Sequence, residues 1–330
     1  MTTVIATQDL TKHYGHVHAL DGLDLIVEQG QVHGFLGPNG AGKSTTIRIL
    51  LGLARHTSGD ATVFGEDPWS RAVDLHRRIA YVPGDVSVWP NLSGGEAVDL
   101  LARLRGARTK DPAYQHEKKR LMEAFQFDPR KKGRAYSKGN RQKVALIAAF
   151  AVPADLYILD EPTSGLDPLM AVIFQREIAR AHANGATVLL SSHIMSEVEQ
   201  LCDRVSIIRA GRIVETGSLT ELRHLTRSDV SFTPSGATLD QVARIPDVHD
   251  PELQGDRIRL AVDSERTATV LPALAALGIS DLRVAPPSLE ELFLRHYGDD
   301  LATLEVAEDG GTDAPAPTTR RERRALKGRA

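Results

Sequence analysis

A glycine-rich segment near the amino terminus has the composition of a phosphate-binding loop. It runs GPNGAGKS from Gly37 to Ser44 and matches the pattern GxxxxGK[ST]. Glycines let backbone N–H groups close around phosphate oxygens, the lysine reaches the β- and γ-phosphates, and the serine hydroxyl can ligate Mg²⁺. An apolar run at 31–36 precedes the segment and helical spacing at 45–53 follows it, as such a loop requires. We therefore predict that a nucleoside triphosphate is held by Gly37, Pro38, Asn39, Gly40, Ala41, Gly42, Lys43, Ser44 and Thr45.

Two adjacent carboxylates end a second apolar run. Asp160 and Glu161 come directly after residues 156–159. Asp160 is placed to hold Mg²⁺ through a water molecule, together with Ser44, and Glu161 is placed to polarise the water that attacks the γ-phosphate. Alternatively, the two acids only cap a surface turn. His193 follows the next apolar run, where a neutral imidazole could contact the γ-phosphate, although a lone histidine is more often structural.

Strand and helix patterns alternate over residues 1–225, which predicts an α/β core. Helical spacing at 96–104 and 142–150 interrupts the strands and predicts a helical subdomain at about 86–150. Apolar runs on both sides of Ala210-Gly211 predict a β-hairpin. The predicted strands of the core are 4–9, 23–28, 31–36, 156–159 and 187–191.

The pattern changes after residue 225, where a second domain is predicted at 226–297. Its order of strand, helix, strand, strand, helix and strand fits a small α+β domain of ferredoxin-like type. Ser288–Tyr297 then has the pattern of a closing helix. Residues 298–330 are acidic, then rich in Gly, Pro and Thr, then basic, and we predict that this tail is disordered. The six predicted elements are 230–233, 239–243, 248–253, 258–262, 267–277 and 282–285.

Composition and charge exclude several classes of protein. The chain has 330 residues, a formal net charge of −3 and one cysteine, Cys202, which excludes an intramolecular disulfide framework and fits a reducing compartment. No run approaches 18 to 20 apolar residues, and the first residues lack the order of a signal peptide. The basic run at 130–134 could be a nucleic-acid patch, but no RNA-binding motif accompanies it, so we expect no nucleic-acid partner.

Together, these residues resemble the nucleotide-binding domains of ABC transporters over residues 4–225. The resemblance implies a P-loop NTPase core with an antiparallel β subdomain and a helical subdomain, and it implies ATP and Mg²⁺ as ligands. Residues 37–44 resemble the Walker A motif, and residues 157–161 resemble Walker B with its catalytic glutamate. The same resemblance makes His193 the switch histidine and Asp167 the last residue of the D-loop. Tyr14 takes the position of the aromatic that stacks on adenine, unless it is a core residue of the first hairpin.

The signature motif of this family, LSGGQ, occurs twice in approximate form. Leu92–Glu96 is the closer string, but it precedes most of the helical insertion, so we interpret it as a helix cap. Tyr136–Asn140 stands directly before the helix that leads to Walker B, which is the family's location. The resemblance implies that it closes over the γ-phosphate bound by a second ATP-binding subunit, in a homodimer. The residues that it assigns to this contact are Ser137, Lys138, Gly139 and Asn140, with Lys138 as an added cation.

A second departure from the family lies at Gly84. Relatives usually carry a glutamine there, which links the metal and water site to the transmembrane partner. Gly84 offers no side chain, and Asp85 is the nearest replacement. The coupling step, more than nucleotide binding, is the function that this departure affects.

The segment PSLEELFL at 287–294 resembles the end of drug and antibiotic exporter ATPases of the daunorubicin-resistance type. This resemblance implies an ATP-hydrolysing subunit that powers export through a separate transmembrane permease, at the cytoplasmic face of the cell membrane. Alternatives are an ABC ATPase for another cargo, such as a lipid, a polysaccharide or an imported solute, and a soluble ABC ATPase that acts in regulation or on the ribosome.

Overall fold

Strands and helices alternate along the computed structural model, which describes residues 2–224, 227–236 and 238–285. Up to residue 218 the strands are β1 (Thr3–Tyr14), β2 (Val17–Glu28), β3 (Val32–Leu36), β4 (Ser58–Val63), β5 (Ile79–Val82), β6 (Leu156–Asp160), β7 (Thr187–Ser191), β8 (Arg204–Arg209) and β9 (Arg212–Ser218). Over the same part of the chain and just beyond it, the helices are α1 (Lys43–Leu50), α2 (Ala72–Arg78), α3 (Gly94–Leu104), α4 (Pro112–Ala124), α5 (Lys138–Phe150), α6 (Pro168–Ala183), α7 (Met195–Leu201) and α8 (Leu219–His224).

The central sheet has six strands in the order β5-β6-β7-β3-β8-β9. The first five strands of this order are parallel, and β9 returns antiparallel to β8, which confirms the predicted hairpin. Every residue of β3, β6 and β7 is buried, as expected for parallel strands that are covered on both faces. The carboxyl ends of these three strands therefore meet at one edge of the sheet.

An antiparallel sheet in the order β2-β1-β4 packs beside the central sheet. The two sheets and α1 share one hydrophobic cluster, in which Leu10, Leu23, Ile47 and Leu189 are fully buried. This sheet is the antiparallel β subdomain that the resemblance implied.

Helices α3, α4 and α5 fill the chain between β5 and β6, as predicted for the helical subdomain. Ser93 caps α3 through a capping box: its hydroxyl accepts from the Glu96 N–H, and the Glu96 carboxylate accepts from the Ser93 N–H at 2.7 Å. These bonds hold the pKa of Glu96 down at about 2. The interpretation of Leu92–Glu96 as a helix cap is confirmed.

The next four strands are β10 (Arg227–Pro234), β11 (Val248–Gln254), β12 (Arg257–Asp263) and β13 (Ile279–Ala285), and they form an antiparallel sheet in the order β11-β12-β10-β13. The two helices between them are α9 (Leu239–Ala243) and α10 (Thr267–Ala276). The alternating residues Val230, Phe232, Ile258 and Leu260 are buried against these helices, which confirms the predicted order of elements. The predicted closing helix 288–297 and the tail 298–330 lie outside the described residues.

Within the described part of the chain, no helix combines the length and the apolarity that a membrane span requires.

Candidate nucleotide-binding site

The loop between β3 and α1 forms a cradle for an anion. Gly42 is the N-cap of α1 at φ +115°, and a Cβ there would lie 2.7 Å from the carbonyl oxygen of Ala19. No side chain caps this helix, and its first turn carries no acidic residue, so its free N–H groups are available to phosphate oxygens. Lys43 is buried and donates to the carbonyl oxygens of Gly37 and Pro38, which holds its ammonium group inside the loop.

Two oxygen donors from different elements meet beside this cradle. The Ser44 hydroxyl donates to Asp160 Oδ2 at 3.2 Å, although 116 residues separate them along the chain. Burial raises the pKa of Asp160, and the neighbouring Glu161 carboxylate adds to the rise, while Ser44 and Lys43 oppose it. A hydroxyl and a carboxylate are hard oxygen ligands of the kind that Mg²⁺ prefers, so the pair fits that ion.

Glu161 and His193 stand next to each other at the carboxyl ends of β6 and β7. His193 Nδ1 lies 3.4 Å from Glu161 Oε1, and the His193 side chain is 60% exposed. The Glu161 backbone has φ +46° and donates its N–H to the carbonyl oxygen of Ser191 at 2.8 Å. A left-handed backbone at a glutamate is unfavourable and persists only where the surroundings hold it. The arrangement presents a carboxylate and an imidazole together beside the cradle.

Gly84 lies against the backbone of the two carboxylates. A Cβ at this glycine would be 3.3 Å from the carbonyl oxygen of Asp160 and 3.7 Å from Glu161 Cβ. Asp85 is exposed, and none of the hydrogen bonds or ion pairs within the described ranges involves it. The segment after β5 therefore touches the site through backbone, and the Asp85 carboxylate faces solvent.

Tyr14 ends β1 in the hairpin that borders the cradle. The residue is 47% exposed, and the Lys12 ammonium lies over its ring, 4.7 Å from the ring centroid. Tyr14 is therefore not a core residue of the hairpin. Ala19 and Leu20 of the same hairpin contact Gly42, so the exposed ring belongs to the element next to the phosphate loop.

The segment 137–140 lies against the turn that follows Glu161. Ser137 caps α5 by accepting from the Asn140 N–H, and Lys138 Nζ donates to Ser164 Oγ at 2.8 Å. A Cβ at Gly139 would lie 2.4 Å from the carbonyl oxygen of Gly165, so only glycine permits this approach. Among the residues that the structure describes, no hydrogen bond or ion pair joins 137–140 to the cradle of the same chain.

Asp167 begins α6. Its side chain caps this helix by accepting from the Met170 N–H at 3.0 Å, and Pro168 occupies the first helical position. Asp167, which the resemblance places at the end of the D-loop, is therefore held as a helix cap.

Comparison with known proteins decides the family. A family described as ABC transporter matches residues 20–164. The bacitracin transport ATP-binding protein BcrA of Bacillus licheniformis is 33% identical, over 90% of this chain and 98% of its own length. The daunorubicin/doxorubicin resistance ATP-binding protein DrrA of Streptomyces peucetius is 36% identical, over 93% of this chain and 97% of its own. The chain belongs to the ABC transporter ATP-binding proteins.

A solved structure of this family supports the fold of the ABC ATPase. The structure of an ATP-binding subunit of an ABC transporter superposes with a TM-score of 0.63 at 31% identity, over 68% of this chain and 93% of its own. The α/β core with its β and helical subdomains is thus that of the family, and the chain is an ATP-binding ATPase.

Sequence reasoning missed two buried polar residues beside the site of this ABC ATPase. Gln142 Nε2 donates to the carbonyl oxygen of Pro162 at 2.9 Å and so joins α5 to the turn after Glu161. Glu197, on α7, accepts from Thr163 and Ser192. For Gln142 the available signal was an amide two residues before the long apolar run at 144–152, and for Glu197 it was a carboxylate four residues after His193.

Proposed function

We propose that this ABC ATPase powers the export of a drug or antibiotic-like small molecule through a separate transmembrane permease, at the cytoplasmic face of the cell membrane. The observation that carries the proposal is similarity over 90% or more of the chain to subunits named for bacitracin transport and for daunorubicin/doxorubicin resistance. Because that similarity extends past the cassette, it includes the α+β domain as well as the ATPase machinery. We propose the domain division that was predicted from the sequence: an ATP-binding cassette at 1–225, a second domain at 226–297 and a tail at 298–330.

Within one subunit, we propose that the cradle binds the phosphates of ATP and that the adjacent carboxylates carry the hydrolysis. Lys43 holds the β- and γ-phosphates, and Ser44 with Asp160 holds Mg²⁺, the latter through water. The bound ion supplies positive charge that offsets charge on the phosphate oxygens. Glu161 accepts the proton of the attacking water, and His193 donates a hydrogen bond to the γ-phosphate. Tyr14 stacks on the adenine ring.

We propose that the complete site needs a second copy of the chain. Lys138 and its neighbours at 137–140 contact the turn after Glu161 and make no hydrogen bond to the cradle within the described residues. In a head-to-tail homodimer, Ser137 and the amino terminus of α5 reach the γ-phosphate held by the partner, and the two sites are equivalent. Asp167 ends the turn that follows Glu161, and we propose that in the dimer this turn borders both nucleotide sites.

An apolar groove supports the docking of a permease helix. The groove has a volume of about 510 Å³ and is lined by Tyr81 and Pro83 of the segment before Gly84, and by residues of α3 and α5. Trp89 and Leu104 of this lining are exposed large hydrophobic side chains, and such a patch is typical of a protein interface. Pro83 places one end of the groove beside Gly84 and, through Gly84, beside Asp160.

The proposal is tested by transport with the permease present. The chain is expressed with the membrane protein of a neighbouring reading frame that has several apolar 20-residue runs, and efflux of daunorubicin and of bacitracin is measured. We expect efflux that is lost in Glu161→Gln and reduced in Leu104→Arg, which places a charge in the groove. If the complex hydrolyses ATP and transports another cargo but neither drug, the proposal of drug export is wrong. If the chain co-sediments with ribosomes and does not associate with the membrane protein, the proposal of a transporter function is wrong.

A further inference from the structure

A buried carboxylate is hydrogen-bonded to both segments that carry the proposed catalytic residues, the one after β6 and the one after β7. Glu197 is only 8% exposed, and its Oε2 accepts from Thr163 Oγ1 at 3.1 Å and from Ser192 Oγ at 3.2 Å. Thr163 and Ser192 are buried as well. In the described part of the chain, no lysine, arginine or histidine forms an ion pair with this glutamate. Burial of a carboxylate without a paired cation costs free energy. The presence of Glu197 at this position therefore needs a reason other than stability.

The first hydroxyl belongs to the turn that follows the proposed base. This turn is short: the Ser164 N–H donates to the carbonyl oxygen of Glu161 at 3.1 Å, and the Leu166 N–H donates to that of Thr163 at 2.9 Å. The Thr163 side chain, two residues after Glu161, therefore ties this turn to Glu197.

The second hydroxyl belongs to the loop that carries His193. Ser192 Oγ accepts from the Ile194 N–H at 3.0 Å while it donates to Glu197. His193 thus stands between two residues that are both tied into the same network. The proposed base and the histidine are on two separate loops, and Glu197 bonds to both loops at once.

We propose that Glu197 is a positioning residue that holds His193 and Glu161 in their relative places for ATP hydrolysis. This inference rests on the proposed roles of those two residues. Their 3.4 Å contact joins a side chain that is 60% exposed to one that is 28% exposed, and a solvated contact of this kind fixes geometry only weakly. The unfavourable φ of +46° at Glu161 also needs support from its surroundings. The buried bonds of Glu197 supply that support from inside the protein.

The geometry makes a sharp distinction between two substitutions of Glu197. Both hydroxyls donate to the same oxygen, so the amide oxygen of Glu197→Gln can accept both bonds without a charge. Glu197→Met has a similar length and no oxygen acceptor. We expect kcat of Glu197→Gln to stay within about threefold of wild type, and kcat of Glu197→Met to fall about 10- to 100-fold, because small misplacements of reacting groups cost that much. The KM for ATP should change little in either variant, since Lys43 and the cradle are separate from this network.

A milder pair of variants covers the case in which Glu197→Met does not fold. Thr163→Val removes one donor and keeps the shape, while Thr163→Ser keeps the donor. Thr163→Val should lower kcat, Thr163→Ser should retain it, and Thr163→Val should add little to the loss in Glu197→Met, because the two residues act as one unit. Thermal melting checks that each variant is folded.

Two results would overturn the proposal. One is a folded Glu197→Met or Thr163→Val with the kcat of wild type. The other is a Glu197→Gln as impaired as Glu197→Met, because the charge and not the acceptor geometry would then be required. Both results can be distinguished from an error in the proposed catalytic roles. If Glu161 is not the base, Glu161→Gln would hydrolyse ATP at the wild-type rate, whatever residue is present at position 197.

Discussion

The ammonium group of Lys138 donates a 2.8 Å hydrogen bond to Ser164 Oγ and so joins the start of α5 to the turn that follows Glu161. This lysine is in the first turn of α5, which carries no acidic residue. A cation there is disfavoured by the helix dipole, and a hydroxyl offsets its charge less than an anion does. Lys138 is therefore expected to exchange Ser164 for a phosphate oxygen when a partner subunit brings one.

The first prediction concerns dimer formation by Lys138→Met. A charge-assisted hydrogen bond contributes about 1.5–3 kcal/mol. In a Glu161→Gln background, the ATP concentration that produces the dimer in size-exclusion chromatography should therefore rise at least about tenfold. Nucleotide binding to the monomer should stay unchanged, since the cradle is separate. Lys138→Arg, which keeps the charge, is the control, and dimerisation of Lys138→Met at the original ATP concentration would contradict the assigned role.

The second prediction compares Ser93 with Ser137. Each serine caps a helix by accepting from the N–H three residues later, at Glu96 and Asn140 respectively. Replacement of either by alanine should lower the free energy of unfolding by about 1 kcal/mol, measured with denaturant. Only Ser137→Ala should also lower ATP turnover, because only that segment is placed to meet the partner's nucleotide. Equal loss of turnover in Ser93→Ala would reverse the choice of signature motif.

The third prediction concerns stability and pH at Asp160. Its folded-state pKa is raised above 3.8, chiefly by burial, so the folded protein holds this proton more tightly than the unfolded chain does. The carboxylate therefore destabilises the nucleotide-free protein as pH rises from about that value through the raised pKa. Asp160→Asn should be more stable than wild type near pH 7, and the difference should shrink at lower pH. ATP turnover should be lost in the same variant, so melting and activity move in opposite directions; a variant that is less stable at pH 7 would count against this reading of the burial.

The fourth prediction concerns coupling at Gly84. A Cβ there would approach the carbonyl oxygen of Asp160 to 3.3 Å, which requires a shift of a few tenths of an ångström and no rearrangement of the cradle. Gly84→Gln should keep basal ATP binding and change the stimulation of turnover by the permease. Asp85→Asn is the matched control: because this side chain faces solvent, its basal Mg²⁺ dependence should equal that of wild type. If neither variant alters stimulation by the permease, Gly84 is only a tolerated turn residue.

The residues of the phosphate loop could be assigned from the sequence, because its chemistry is local. Gly42 adopts φ +115°, Lys43 is the first residue of α1, and the residues predicted from this motif lie within the nine positions 37–45. The order of elements after residue 225 could also be predicted, since buried and partly buried residues alternate with a period of two in β10 and β12. Helix starts were less accurate: α5 begins at Lys138, four residues before the predicted helix, because the Ser137 side chain caps it.

Contacts between distant segments depended on the tertiary structure. The order of strands in the central sheet, with β7 between β6 and β3, brings Glu161 to His193 and Ser44 to Asp160, and no local pattern encodes that order. The same holds for Glu197, whose partner Thr163 is 34 residues away. Periodicity and motif spacing report which backbone conformation a segment favours, because those preferences act between near neighbours. Which buried donor meets which acceptor is decided by the packing of whole elements, and that packing brings Glu197 of α7 to the hydroxyls of Thr163 and Ser192, in the segments that follow β6 and β7.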